Sequence, residues 1–165
     1  MAIWQVLIEF VPAQWVEENN YEVGLLYGEE GYDTSPAWLE FQPSRDYVNL
    51  FDSILPKAES WSEDLELWGE SPVHDISVWN EEDVIESIGF RLDLRKDFRD
   101  IAKQLMTAAE ALGCYFFIPG QKVIFKPDMV ALIQYIRQSN AAKFVTDPHG
   151  YLDEVSKNIT SKGSG

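Results

Sequence analysis

Cysteine and histidine are scarce in this 165-residue chain, which contains only Cys114, His74 and His149. A single cysteine excludes an intramolecular disulfide and a thiolate-bound metal cluster, and it fits a reducing compartment. The two histidines stand far apart in the sequence, so no local metal-binding pair is present. Because three aromatic residues follow Cys114, we expect it to be an unreactive thiol in the core.

Long hydrophobic runs are also missing. No stretch approaches the roughly 18 apolar residues that a membrane span requires. Residues 1–6 lack the basic region and the continuous apolar region of a secretory signal. We therefore expect a soluble, cytoplasmic protein without a membrane partner.

Basic residues are almost absent from the first 90 positions. These hold twenty Asp or Glu residues against Arg45 and Lys57, a formal charge of −18, whereas residues 91–165 hold eight acids and eleven bases, or +3. A negative field repels nucleic acid and attracts basic proteins by long-range steering. The same charge also keeps a protein soluble, and the sequence leaves both interpretations open. We expect bases of the second half, such as Arg91, to neutralise part of the acid.

Recognisable catalytic and metal-binding motifs are absent too. Residues 28–31 put Glu29 and Glu30 where a glycine-rich loop would hold phosphate. Neither a G-x-S-x-G nucleophile elbow nor an ordered calcium loop occurs. His74 and Asp75 are adjacent in a predicted strand, so their side chains point to opposite faces. We predict no catalytic residue, no metal site and no cofactor.

The chain does contain the apolar residues of one large core. Hydrophobic residues make up 45% of the sequence, with nine Phe, seven Tyr and six Trp. The pattern predicts a single α+β domain over residues 1–155, followed by a flexible tail over residues 156–165. The expected fold is a mainly antiparallel sheet, with a meander around residues 65–94, packed against two or three helices.

Apolar spacing and turn residues predict the individual elements. The expected strands cover residues 3–10, 21–27, 65–68, 74–79, 84–94, 114–118 and 122–125. The expected helices cover residues 13–19, 45–55 with Ser44 as N-cap, 98–112 and 127–139, with a short docking helix at 151–155. Residues 32–41 are predicted to be a loop, with a short strand over 38–41 as the alternative.

Acidic clusters beside turns and strand ends are the candidate partner-binding residues, together with one tryptophan as an anchor. Aromatic groups dominate interface energies, whereas charges set encounter rate and specificity. The candidates are Glu29, Glu30, Trp61, Glu63, Asp64, Glu66, Glu81 and Glu82. They predict a non-enzymatic acidic protein-binding module whose partner is a basic protein such as a toxin or an enzyme.

Two other functions stay open at this point. Paired carboxylates need only be close in space, and four tryptophans are able to stack on sugars, although core packing is the favoured role for them. A carbohydrate-active enzyme or sugar-binding domain is therefore one alternative, and the tryptophans concerned are Trp38, Trp61, Trp68 and Trp79. The other alternative is a structural or assembly protein that pairs a sheet edge with a second copy.

Five short segments are similar in spacing to segments of small bacterial proteins that are encoded as immunity partners of toxins. The segments are Leu55-Pro56, Ser60-Trp61, Leu67-Trp68-Gly69, Arg91-Leu92-Asp93-Leu94-Arg95 and Phe144-Val145-Thr146-Asp147-Pro148. The resemblance spans residues 50–155, and its motifs are structural rather than catalytic. It implies that an acidic surface within residues 1–90 occludes the active site of a toxin, and it assigns no individual site residue.

Overall fold

The computed structural model describes the backbone of residues 1–163 and the side chains of residues 1–157. The strands are β1 (Gln5–Pro12), β2 (Tyr27–Gly28), β3 (Gly31–Tyr32), β4 (Lys57–Ala58), β5 (Leu65–Gly69), β6 (Asp75–Glu81), β7 (Val84–Asp93), β8 (Cys114–Ile118) and β9 (Val123–Phe125). The helices are α1 (Ala13–Glu18), α2 (Ser35–Glu40), α3 (Tyr47–Asp52), α4 (Arg99–Ala111), α5 (Met129–Arg137), α6 (Asn140–Thr146) and α7 (Pro148–Gly163).

One antiparallel sheet of seven strands organises the fold, in the order β4-β5-β6-β7-β1-β8-β9. Strands β2 and β3 form a separate hairpin. The predicted α+β class, the meander over residues 65–94 and the hairpin over residues 114–125 are confirmed. The sequence did not indicate that β1 lies between β7 and β8.

Strand β1 gives the sheet two different faces. Because side chains alternate along a strand, Val6, Ile8 and Phe10 point to one face, whereas Leu7 and Glu9 point to the other. The first face is covered by α3, α4, α5 and α6, and their apolar residues join it in one core. The second face is covered at one end only, where α1 and the 3₁₀ turn at residues 23–26 pack on β8.

Aromatic side chains fill the core under the helices. The ring centroid of Phe10 lies 5.6 Å from that of Phe90, 5.7 Å from that of Phe116 and 6.0 Å from that of Phe51. All four rings are almost fully buried. The rings come from β1, β7, β8 and α3, so the cluster holds these four elements together. Fully burying one such side chain stabilises the fold by roughly 1.5–3 kcal/mol.

Two predictions between residues 21 and 41 are wrong, namely the strand over 21–27 and the loop over 32–41. In place of the predicted strand over 21–27, Asn20 and Tyr21 take positive φ angles of 55° and 58°, which turn the chain before a 3₁₀ helix at residues 23–26. In place of the predicted loop, residues 35–40 form α2. Pro36 suits the first turn of a helix, and burial of Ala37 and Trp38 against the sheet stabilises it.

Helix ends agree with the sequence in part. Gly113 follows α4 with a φ of +68°, and the Asp128 side chain accepts the Ala131 N–H at 2.9 Å at the start of α5. The Ser44 cap is wrong, because α3 begins at Tyr47 and its N-terminus has no side-chain cap. Local spacing did not predict α6, whose cap is the hydroxyl of Ser139.

The C-terminal end of the chain differs from the expectation. Helix α7 runs over Pro148–Gly163, so the backbone stays helical through most of the predicted tail. Residues 164–165 of that predicted tail lie outside the described residues. Among the described residues, no helix has the length and apolar character needed to cross a membrane.

We predict that Gly69, at the end of β5, tolerates no side chain. Its φ is +85°, and an added Cβ would lie 2.3 Å from the carbonyl oxygen of His74. Gly69→Ala should therefore lower the free energy of unfolding by about 2 kcal/mol or more in urea denaturation. Gly28→Ala is the matched control, because a Cβ at Gly28 meets nothing within 4 Å. Equal losses in the two variants would contradict this account of Gly69.

Candidate functional site

The uncovered part of the second sheet face forms a cleft of about 710 Å³, which we call the open-face cleft. Its lining comes from strands and loops, with β1, β5, β6 and β7 as the floor. Strand register places four residues in one row across this floor, in the order Leu67, Ser77, Gly89 and Glu9. The neighbouring rows contribute Asp75 and Arg91 on one side and Trp79 and Ser87 on the other.

Glu9 is the buried acid of this floor. The residue is 6% exposed, and burial raises the pKa of its carboxyl group from 4.5 to about 7, against a smaller opposing effect of a hydrogen bond from Tyr32. The Tyr32 hydroxyl donates to Oε1 at 2.9 Å. Within the described chain, Oε2 has no hydrogen-bond partner. About half of the Glu9 carboxyl groups are therefore protonated near pH 7, and one oxygen has no hydrogen-bond partner within the described chain.

Two structural features place the Glu9 carboxyl group. Gly89 lies opposite Glu9 on β7, and a Cβ there would lie 2.6 Å from Oε2, so the absence of a side chain leaves room for the carboxyl group. The β2–β3 hairpin brings Tyr32 over the floor, where its ring packs edge-on against Phe117 at 5.7 Å. Burial and the neighbouring Glu9 raise the pKa of Tyr32, which keeps its hydroxyl a donor.

An ion pair lies beside Glu9 on the same floor. Asp75 is 3% exposed, and both its oxygens accept from the Arg91 guanidinium, with Nε to Oδ1 at 2.9 Å. The residues sit opposite each other on β6 and β7. Hydrogen bonding to Asp75 raises the pKa of Arg91 further, so the arginine stays charged. The pair bridges the acidic first half of the chain and the basic second half, as the charge distribution predicted.

Two tryptophans form the wall of the open-face cleft. Trp61 is 77% exposed, and its ring lies edge-on to that of Trp79 at a centroid distance of 5.4 Å. The loop that carries Trp61 is fixed by two short-range hydrogen bonds, from the Ser62 N–H to the Ser60 hydroxyl and from the Asp64 N–H to the Ser62 hydroxyl. Trp61 is thus largely exposed to solvent while one edge of its ring contacts Trp79.

A cluster of carboxyl groups lies near the paired residues Trp79 on β6 and Ser87 on β7, both of which line the cleft. Burial raises the pKa of Glu86, and a hydrogen bond with Glu81 and repulsion from Glu81, Asp33 and Asp64 raise it further. The groups that act on Glu86 are all acids, so like charges crowd one another here. We call Asp33, Asp64, Glu81 and Glu86 the acidic rim.

The structure brings some of the predicted partner-binding residues together. Trp61 lines the cleft, while Asp64 and Glu81 belong to the acidic rim. The others lie apart from the floor: Glu63 and Glu66 line a neighbouring groove, Glu82 occupies the β6–β7 turn, and Glu29 and Glu30 form the β2–β3 turn. Glu66 is already engaged, because it accepts hydrogen bonds from Tyr47 and from Lys57, the latter at 3.0 Å.

Sequence reasoning missed the floor of the cleft. Glu9 is the lone acid in a strand of mostly apolar residues, and this departure from the pattern is the signal that marks it. Asp75 and Arg91 are sixteen residues apart, so only strand register shows that they pair. Of the four tryptophans considered for sugar stacking, Trp38 and Trp68 are fully buried, whereas Trp61 and Trp79 reach the cleft.

Other titratable residues are engaged elsewhere. Cys114 is buried in the core, as predicted, and burial raises the pKa of its thiol to about 12. His74 Nδ1 accepts the Asp93 N–H at 2.9 Å, and burial lowers the pKa of its imidazole. Its predicted separation from Asp75 holds, since Asp75 faces Arg91. Across the described residues, no three His, Cys, Asp or Glu side chains form a group that is able to hold a metal ion.

Searches against protein-family models, curated proteins and solved structures find no match to this chain. The chemistry of the open-face cleft is therefore the basis for a functional proposal. Carboxyl side chains dominate its charged lining, and Arg91 is bound to one of them. The combination of negative charge, exposed indole and an unused carboxyl oxygen favours cationic ligands over anionic ones.

We predict that Glu9 destabilises the fold above neutral pH. Its folded pKa of about 7 exceeds its ordinary 4.5, so the folded state holds the proton more tightly. The resulting stabilisation is complete below about pH 4.5 and is lost as the pH rises through 7, a total of about 3 kcal/mol. Glu9→Gln should escape this loss, so its free energy of unfolding relative to that of the wild type should rise by roughly 2–3 kcal/mol between about pH 5 and pH 8.

The control for the Glu9 prediction is Glu59→Gln, at an exposed position on the edge of the same cleft. Urea denaturation at both pH values measures all three proteins. A difference between Glu9→Gln and wild type that does not change with pH would show that Glu9 titrates normally.

We predict that Asp75 depends on Arg91 for its burial. Arg91→Met should lower the free energy of unfolding by about 3 kcal/mol, because it leaves a buried carboxylate without its cation. The double variant Asp75→Asn with Arg91→Met removes both charges and should be clearly more stable than Arg91→Met alone. Urea denaturation of the single and double variants tests the pairing, and equal stability of the two would contradict it.

Proposed function

We propose that this chain is a non-enzymatic acidic protein-binding module that neutralises or inhibits a basic protein. The contact surface is the open-face cleft with its acidic rim. The observation that carries the proposal is the crowding of Asp33, Asp64, Glu81 and Glu86 beside the cleft that contains the exposed Trp61. Repulsion from its acidic neighbours raises the pKa of Glu86, and a cationic partner placed beside these acids relieves that repulsion.

Trp61 supplies the apolar part of this surface. Its exposed indole and the half-buried Trp79 offer a large, rigid contact area, and tryptophan is among the residues that most often dominate binding energy. The acids around it set the encounter rate and exclude acidic partners. An exposed tryptophan near several carboxylates therefore suits a basic protein surface better than a nucleic acid.

The class of partner follows from the resemblance to toxin-immunity proteins. A protein of that type blocks the active site of a basic toxin or enzyme by covering it with acidic groups, in the cytoplasm of the cell that makes it. Trp61 belongs to one of the segments that carry the resemblance, and it stands in the cleft beside the acidic rim. The immunity role is thus the specific form of inhibitor that we propose.

A second function, sugar binding, is favoured by one observation. The open-face cleft contains Glu9, with its raised pKa, and Asp75 beside a tryptophan wall, and paired carboxyl groups with stacked indoles are typical of sugar sites. Catalysis there is disfavoured, because Arg91 occupies both oxygens of Asp75. Strand spacing also puts the Cα atoms of Glu9 and Asp75 about 12 Å apart.

We predict that the acidic rim and Trp61 control different steps of partner binding. In affinity capture from the native host, the wild-type protein should retain a basic protein that mass spectrometry identifies. With that partner, Asp64→Lys with Glu81→Lys should slow association about tenfold and flatten its dependence on salt. Trp61→Ala should leave the association rate nearly unchanged and speed dissociation, with a loss of about 2 kcal/mol in binding free energy.

The matched control reverses two charges on the opposite side of the sheet, with Asp100→Lys and Glu110→Lys on exposed positions of α4. It should associate nearly as fast as the wild type at about 0.15 M salt, because charges at that distance are screened. Biosensor kinetics over a range of salt concentrations measure all four proteins. If binding is independent of salt and equal in the rim and control variants, electrostatic recognition through the rim is wrong.

A further inference from the structure

Glu9, in the floor of the open-face cleft, accepts a hydrogen bond through only one of its two carboxyl oxygens, as far as the described residues show. Glu9 Oε1 accepts from Tyr32, whereas Oε2 finds no hydrogen-bond partner anywhere in the described chain. The residue is 6% exposed, and Gly89 leaves the space that its carboxyl group fills. A buried oxygen without a partner is unfavourable, and a donor from a ligand supplies the missing hydrogen bond once the Glu9 carboxyl group turns toward the cleft that it lines.

The charges around Glu9 select the kind of donor. The charged side chains that line the cleft, within the described residues, are Glu9, Glu59, Glu70, Asp75 and Arg91. Asp75 engages the guanidinium of Arg91, so the remaining field is negative. A cationic donor is attracted by this field, whereas an anionic one is repelled.

The apolar surfaces beside Glu9 match a long side chain. Leu7 and Leu67 flank the floor, and Trp79 lies one row along the sheet and two strands across from Glu9, about 12 Å away between Cα atoms. Lysine and arginine lay their apolar stems along such surfaces while their charged ends pair elsewhere. Aromatic faces at the wall add attraction for a cation.

We propose that the floor of the open-face cleft is a binding subsite for one cationic side chain of a basic protein. The ammonium group of lysine or the guanidinium group of arginine pairs with Glu9, and the stem lies against Trp79. This subsite rests on the proposed function, because it names what the basic partner inserts. It adds a buried anchor to a surface that otherwise attracts its partner by long-range charge.

Binding of a cation to Glu9 is coupled to a proton. With a pKa of about 7, Glu9 is largely protonated at pH 6 and must release that proton to form the ion pair. Affinity should therefore rise as the pH rises through 7 and level off above it. The other titratable or charged groups that face the cleft are Tyr32 from β3, Asp75 from β6, Arg91 from β7, Glu59, Glu70 and the N-terminal amine of Met1.

The test uses small probes that carry one side chain each. These are the N-acetyl methylamides of lysine and of arginine, with that of norleucine as the neutral control and a disaccharide as the sugar control. Titration followed by the NMR signals of the indole N–H groups gives dissociation constants at pH 6 and pH 8. For a group of pKa about 7, the wild type should bind the cationic probes about tenfold more tightly at pH 8.

Variants separate Glu9 from the rest of the cleft. Glu9→Gln should bind the cationic probes weakly and equally at both pH values, whereas Glu59→Gln should keep the tenfold change. Since the N-terminal amine is present in both variants, its titration cannot explain the difference. Gly89→Ala pushes on Oε2 and should also weaken binding, as a positioning effect. Thermal unfolding checks that each variant is folded.

Three results would overturn the subsite. They are equal binding of the norleucine and cationic probes, a pH effect that survives in Glu9→Gln, and no binding at about 50 mM probe. Preference for the disaccharide would support the sugar function instead. The two proposals fail separately. If a captured partner needs the acidic rim but binds Glu9→Gln as well as the wild type, only the subsite is wrong. If the probes bind but no basic partner exists, only the inhibitor function is wrong.

Discussion

The hydrogen bonding of β1 between β7 and β8 is the constraint on which the rest of this structure depends. Both backbone edges of β1 are paired, so its side chains are confined to the two faces of the sheet. On one face, Phe10 becomes the centre of the aromatic core under the helices. On the other face, the same strand presents Glu9 at a place that water hardly reaches. A single strand thus fixes both the stability of the core and the unusual acid of the cleft.

Much of the fold was predictable because local patterns decide it. The meander over residues 65–94 follows from alternating apolar residues and short turns, and α4 follows from its apolar stripe and Gly113. The failures lie where tertiary contacts outweigh local preference. Helix α2 depends on burial of Trp38 against the sheet, and the segment at 21–27 depends on two residues with positive φ angles. Neither condition is visible in local spacing.

The site was less predictable than the fold, for a physical reason. Exposed acids beside turns are recognisable from composition, so Asp64, Glu81 and Trp61 were among the predicted candidates, and their role in binding stays a prediction. The floor residues acquire their properties only through register: Glu9 meets Gly89 on one neighbouring strand, and Asp75 meets Arg91 one row away. A raised pKa needs burial as well as a carboxyl group, and burial of Glu9 requires the whole sheet.

The distribution of bases explains why the acid on this face stays uncompensated. The cations that the structure pairs are held by other carboxyl groups: Arg91 by Asp75, Arg95 by Asp93 and Lys57 by Glu66. Arg95 also packs over the ring of Trp4 at 3.8 Å. None of these three pairs includes an acid of the rim. Burial opposes ionisation of Glu9, so its carboxyl group weakens the fold once it is charged. Binding of a cation from another molecule, as we propose, would give that charge a partner.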